Sequence, residues 1–140
     1  MATVTTSTAR RFHYAWIILA MGTLVVFGAL GLARFGYGVI LPSMQASLSL
    51  SNTQAGALVS ANLLGYLILS AVGGVLAARY GARNVVAIGL AITGAGMLFT
   101  GLAGGFVAAM IWRALTGIGS GASNVPVMAL MSAWFAKRRR

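Results

Sequence analysis

Four long apolar segments, separated by short connections, set the pattern of hydrophobic and polar positions along this chain of 140 residues. A helix needs about 20 apolar residues to cross a hydrocarbon core of ~30 Å, and each segment is close to or above that length. The period-two alternation of barrel strands is missing, and the segments exceed the ~10 residues of such strands. The pattern therefore predicts an all-α, polytopic transmembrane helix bundle with spans at 14–41, 53–78, 84–102 and 106–135.

Short end segments and connections complete this division. They are predicted as a cytoplasmic N-terminal segment 1–13, an outer loop 42–52, a connection 79–83, an outer turn 103–105 and a basic end 136–140. Pro42 is expected to end the first span, and Pro126 to kink the fourth. Ser51 and Gln54 have the spacing of a capping box, in which each side chain bonds the backbone N–H of the other residue. The second span is expected to begin there.

The charges predict an orientation. The chain has ten Lys and Arg but no Asp or Glu, and charged residues make up 7% of it, against about 25% in soluble domains. Most basic residues lie before the first span, between the second and third, and after the fourth, whereas the outer connections carry none. Because cytoplasmic loops carry an excess of Lys and Arg, both chain ends and the 79–83 connection are expected in the cytoplasm.

Two arginines depart from that distribution, because Arg34 and Arg113 lie inside the first and fourth spans. At ~1.5 Å per helical residue, each lies ~12 Å below the outer end of its helix. A charge in mid-membrane costs ~2.5–3.5 kcal/mol on insertion scales, and such residues usually face a bundle interior. One interpretation is that both line a cavity and bind an anionic substrate, or acids supplied from elsewhere. The other is that they snorkel outward or bind backbone carbonyls.

Polar and small residues within the spans give weaker signals. Tyr37, Asn62 and Asn124 are further candidates for the lining of a substrate cavity. The competing interpretation is a hydrogen bond between helices for the asparagines and packing for Tyr37, and Tyr66 is open to the same two interpretations as Tyr37. Small residues at intervals of four predict faces where helices approach closely, and they include Gly65, Gly117 and Gly121.

Residues that the chain lacks disfavour other classes of protein. There is no Cys and a single His, at position 13, so no metal site and no cofactor are expected. No nucleophile–base pair indicates an enzyme. The glycine-rich stretch Thr116–Ser123 lacks the preceding strand and following Lys of a phosphate-binding loop. The basic end adjoins a membrane exit, which is typical of charges that orient a span rather than of a nucleic-acid site.

Two segments resemble motifs of the major facilitator superfamily. GGVLAARYGARNVV, at 73–86, is similar to the family's signature between helices two and three. RALTGIGSG, at 113–121, is similar to its helix-four motif. Ala78 stands where the first signature has Asp. The matching positions of that signature include Gly74, Arg79, Gly81 and Arg83.

The resemblance implies the first four of twelve helices of a secondary carrier, with helices one and four lining a central cavity and the signature loop acting as a conformational switch. On that basis we expect an N-terminal part of a longer carrier, inactive alone, in the cytoplasmic (inner) membrane of a bacterium. The expected partners are the bilayer, a small-molecule substrate that is anionic if the arginines bind it, and either the remaining helices of the carrier or an oligomer partner. No nucleic acid is expected.

An alternative is a self-contained four-helix membrane protein that works as an oligomer, either as a small efflux pump or as a membrane adaptor. Such pumps depend on a membrane-embedded Glu, and the chain has none. The short connections also offer no docking domain for an adaptor. The carrier hypothesis is therefore preferred.

Overall fold

The computed structural model describes residues 9–136, with the side chains of residues 16–133. Within these ranges the chain is helical apart from three short breaks, which confirms the predicted all-α class. The predicted end segments 1–13 and 136–140 lie largely outside the described residues. In chain order the elements are α1 (Ala9–Val26), a π-helical stretch (Phe27–Gly36), α2 (Tyr37–Ser47), α3 (Asn52–Tyr80), α4 (Ala82–Gly101) and α5 (Phe106–Ala136).

Three helical segments are long and apolar enough to cross a membrane, namely Trp16–Ser47, Asn52–Tyr80 and Ala82–Gly101. The fourth predicted span corresponds to α5, which has 31 residues but is not among these three. Its middle carries Arg113 and several small polar residues, most of them buried against the other helices. In the described fold α5 is therefore the interior helix, whereas the other three present more of their surface outward.

The first span is one continuous helical run, and Pro42 does not end it. Pro42 lies inside α2, which continues to Ser47, whereas the sequence predicted an end at residue 41. Proline removes one backbone donor, the one that would bond the carbonyl four residues earlier, and a membrane helix tolerates this loss without ending. The run ends at Ser47, and Ser49 has a φ of 50° in the turn that follows.

The start of α3 has the predicted capping box. The Ser51 hydroxyl accepts from the Gln54 backbone N–H at 3.2 Å, and the Gln54 side-chain oxygen accepts from the Ser51 N–H at 2.9 Å. Two N–H groups that the helix itself cannot satisfy are thereby bonded.

The connection between α3 and α4 is a single residue, Gly81. The sequence predicted a loop over 79–83, but Arg79 lies in the last turn of α3 and Arg83 in the first turn of α4. Gly81 has a φ of 86°, a backbone region that glycine enters without the clash of a Cβ atom. One residue is therefore sufficient to reverse the chain.

The interior helix α5 packs closely against α3 and α4. A Cβ on Gly65 of α3 would clash with the Ala114 carbonyl, and one on Gly117 would clash with the Asn62 carbonyl. A Cβ on Gly121 would lie 2.5 Å from the Tyr66 carbonyl oxygen. On the other side, a Cβ on Gly119 of α5 would lie 2.5 Å from the Gly89 carbonyl oxygen of α4. The helices therefore touch backbone to backbone, the kind of packing that drives helix association in lipid.

A separate apolar cluster closes the end of the bundle near the α2–α3 turn. Its buried members are Tyr37, Met44, Leu50, Leu58 and Ala109. They come from the first span, the turn, α3 and α5, so this cluster joins three helices. Elsewhere many large apolar side chains are exposed, including Leu24, Phe35, Val39, Leu98 and Leu102. An apolar surface of this extent is typical of contact with lipid or with further helices.

The close packing of Gly65 can be tested with a matched glycine of the same helix. Gly65→Ala is expected to lower the free energy of unfolding by about 1–3 kcal/mol, because the new methyl group meets backbone atoms that cannot rotate away. Gly56→Ala has open space around its Cβ and is expected to raise that free energy by about 0.5–1 kcal/mol. Titration of detergent-solubilised protein with dodecyl sulfate, followed by circular dichroism, measures both. Equal effects of the two substitutions would contradict the packing described here.

Candidate functional site

Arg113 is the most deeply buried charged group in the described part of the chain. Its side chain is 2% exposed. One guanidinium nitrogen, Nη1, donates to the Ala33 carbonyl at 3.2 Å, and the guanidinium carbon lies 3.6 Å from the centroid of the Tyr37 ring. A cation over an aromatic face is attracted by about 2 kcal/mol or more where water is excluded. Arg113 is therefore held by a carbonyl dipole and an aromatic ring, both of them neutral.

Three helices build this arrangement. Ala29, Ala33 and Tyr37 are buried at intervals of four along the π-helical stretch and the start of α2. The two alanines are small enough to let the first span approach α5, and a carbonyl oxygen has two lone pairs, so Ala33 can accept from Arg113 in addition to a helical bond. From α3, the Asn62 side chain donates to the backbone carbonyl of Arg113 at 3.0 Å.

The charge of Arg113 has no acidic partner in these 140 residues, since the sequence contains no Asp or Glu. Among the described residues its Nε also finds no hydrogen-bond acceptor. A buried charge is stable only when it is compensated, and a carbonyl and a ring compensate it partly. An anion at this position would be attracted by the positive charge of Arg113 and could accept a hydrogen bond from its Nε–H group.

Arg34 forms a second arginine–tyrosine pair. Its side chain is half-buried, and its guanidinium carbon lies 4.7 Å from the centroid of the Tyr66 ring on α3. The Tyr66 hydroxyl accepts a hydrogen bond from the Asn124 amide nitrogen at 3.0 Å. The first span, α3 and α5 therefore meet here as well, through Arg34, Tyr66 and Asn124.

The structure brings the predicted candidates together in two groups. Tyr37 and Asn62 contact Arg113, whereas Arg34 and Asn124 are connected only through Tyr66. Because the two arginines have different tyrosine partners, the hypothesis that both line one cavity stays a prediction. The sequence alone does not distinguish a contact role of Tyr66 from packing, although Tyr66 lies one helical turn after Asn62 and therefore on the same face of α3.

The switch-loop candidates lie at the Gly81 turn. Arg79 and Arg83 are both exposed, and the Arg79 guanidinium carbon lies 5.6 Å from the centroid of the neighbouring Tyr80 ring. A Cβ on Gly74 would meet no atom within 4 Å, so nothing in the described chain requires glycine there for packing. This end of α3 and α4 is therefore an exposed basic surface.

Fold and site together define a polytopic helical membrane protein with two cationic groups inside its bundle, an arrangement typical of transport proteins. Residues 7–140 match the family model described as Major Facilitator Superfamily. The chain belongs to the major facilitator superfamily.

Known proteins of that kind resemble the chain along most of its length. It is 34% identical over 112 residues to a hexuronate transporter of Bacillus subtilis, covering 78% of the chain and 26% of that protein. It is 30% identical over 128 residues to a 4-hydroxybenzoate transporter of Acinetobacter baylyi, covering 91% of the chain and 28% of that protein. A 3-(3-hydroxy-phenyl)propionate transporter of Escherichia coli is 33% identical over 102 residues, covering 73% of the chain and 25% of that protein.

The chain thus spans about a quarter of the length of these relatives. No solved structure matches it significantly.

The aromatic contact of Arg113 can be tested at Tyr37. Tyr37→Leu is expected to lower the free energy of unfolding by about 2 kcal/mol or more, because it removes the ring face from a desolvated cation. Tyr37→Phe keeps that face and loses only the contact between the hydroxyl and the Met44 sulfur, at 3.9 Å, so its effect is expected to be much smaller. Dodecyl sulfate titration compares the two variants. A loss in Tyr37→Phe as large as in Tyr37→Leu would show that the ring face is not what holds Arg113.

Proposed function

We propose that the chain supplies the first four helices of a secondary active carrier that moves a small organic anion by alternating access. The observation that carries the proposal is the state of Arg113, a cation 2% exposed whose described partners are neutral. An anionic solute is the chemical class that such a group binds most favourably, because it supplies the charge that the protein does not.

The second arginine adds to this preference. Arg34 also lies within the first span and contacts an aromatic ring rather than an acid. Two interior cations disfavour a cationic solute by repulsion, and they give a neutral solute no Coulombic advantage. Carriers bind solute near the middle of the membrane, between the parts that move, and Arg34 and Arg113 are candidate contacts there.

The three bacterial relatives described above support the same class of solute, whereas the name of a Danio rerio relative, 34% identical over 123 residues, gives glucose, a neutral sugar. Hexuronate, 4-hydroxybenzoate and 3-(3-hydroxy-phenyl)propionate are the solutes in their names. Each carries a carboxylate, which is ionised at neutral pH. They differ in ring and chain, so their names favour an organic anion without selecting one.

The Gly81 turn is proposed as the conformational switch of the carrier. Gly74 and Gly81 would permit close backbone approach, and Arg79 and Arg83 would bind an acid on the second half in one of the two states. Ala78 stands in place of the motif's Asp, so the acidic partner has to come from elsewhere in the protein. This would make the switch a contact between halves rather than within one loop.

Uptake by vesicles that contain the complete carrier tests the proposal. Labelled glucuronate, 4-hydroxybenzoate and 3-phenylpropionate are offered together with glucose as a neutral control. We expect saturable uptake of at least one anion and none of glucose. Arg34→Ala and Arg113→Ala are each expected to reduce anion uptake to background, because the cation is lost, while insertion into the membrane is retained.

Two outcomes would overturn the proposal. Uptake of glucose without any anion would exclude the anionic class, and normal anion uptake by both arginine variants would exclude the assigned site. Residues 1–140 alone are expected not to transport. Transport by that segment alone would instead support the oligomeric alternative.

A further inference from the structure

Tyr66 connects Arg34 of the first span with Asn124 of α5. It lies half-buried on α3, with the guanidinium of Arg34 above its ring and the amide of Asn124 at its hydroxyl. These partners come from the first span and from α5. A tyrosine that only filled space would need neither a cation on its face nor a donor at its oxygen.

The hydrogen bonds leave the Tyr66 proton unused. A phenol hydroxyl has one proton to donate and lone pairs to accept with. Asn124 Nδ2 donates to this hydroxyl at 3.0 Å, so a lone pair is occupied and the proton remains available to another acceptor. Among the described residues the hydroxyl donates to no protein group, and neither does the guanidinium of Arg34. A cation and a free O–H donor therefore lie side by side inside the bundle.

The side chain of Asn124 is only partly hydrogen-bonded in this position. It is 7% exposed, and among the described residues its Oδ1 has no hydrogen-bond partner. Leaving a buried acceptor unpaired is unfavourable, and such groups in native proteins call for a specific explanation. Its one hydrogen bond within the described chain goes to Tyr66. The role that this geometry supports is control of the Tyr66 hydroxyl.

We propose that Tyr66 donates a hydrogen bond to the anion bound by Arg34, and that Asn124 is a positioning residue that directs the Tyr66 proton toward that anion. The inference rests on the proposed function and names the chemistry of the ligand at Arg34. A carboxylate fits, because one oxygen can accept from the guanidinium and the other from the phenol. The ring of Tyr66 holds the guanidinium, and its hydroxyl selects the ligand.

The test measures KM for uptake of labelled 4-hydroxybenzoate and glucuronate by the complete carrier. Tyr66→Phe keeps the ring under Arg34 and removes only the donor. It is expected to raise KM by about 10- to 100-fold, the range for a hydrogen bond to a charged group. KM does not depend on how much folded carrier the vesicles contain, so a lower yield of the variant does not obscure the result.

Asn124 is tested by a double-mutant cycle. Asn124→Leu is expected to raise KM by about 3- to 10-fold, the range for a neutral hydrogen bond, but to have no further effect when Tyr66 is already Phe. Asn124→Asp places a carboxylate where it accepts the Tyr66 proton, so it is expected to raise KM at least as much as Tyr66→Phe. Asn52→Leu, at an exposed asparagine that accepts from Gln45, is the matched control and should leave KM unchanged.

The outcomes separate this inference from the proposed function. If the wild-type carrier takes up no anion, both fail. If it takes up anions but Tyr66→Phe leaves KM unchanged, the Tyr66 assignment is wrong and the proposed function stands. If Asn124→Leu raises KM equally with Tyr or Phe at position 66, or if Asn124→Asp behaves as wild type, Asn124 does not act through the hydroxyl.

Discussion

The backbone-to-backbone contact between α5 and its neighbours is the constraint on which the rest of the structure depends. Glycines on both helices bring the backbones of α3 and α5 together, and Gly89 and Gly119 do the same for α4 and α5. Because lipid gives no hydrophobic drive for association, this proximity has to come from small residues. The short distance between the helices also determines which polar groups meet. Only at this distance does Asn62 reach the Arg113 carbonyl, and Asn124 the Tyr66 hydroxyl.

The treatment of buried charge follows from the same packing. The chain has no acid to neutralise its interior arginines, and each guanidinium lies instead against a tyrosine ring. A tyrosine ring attracts the guanidinium but carries no net negative charge that would neutralise it. The arginine therefore remains available to a stronger partner, whereas a salt bridge inside the same bundle would have to break first.

The helices could be predicted from sequence because length and polarity determine membrane spans. The Ser51–Gln54 cap could be predicted because it is local. The prediction that Pro42 ends the first span was wrong, because the effect of a proline depends on the groups around it. The predicted 79–83 loop was wrong because the positive φ of Gly81 lets one residue reverse the chain. The pairing of Arg34 with Tyr66 could not be predicted, since it depends on the relative rotation of two helices, which no periodicity encodes.

The π-helical stretch Phe27–Gly36 has a consequence for how the sequence can vary in length. Hydrogen bonds from i to i+5 place more residues in each turn than an α-helix holds, so the stretch contains more residues than an α-helix with the same number of turns. Loss of one residue there could be absorbed by rewinding toward α-helix, which would leave the span intact but rotate the part before it relative to Tyr37. Homologues that differ by a single-residue deletion in this stretch would keep their place in the membrane and present a different face to α5.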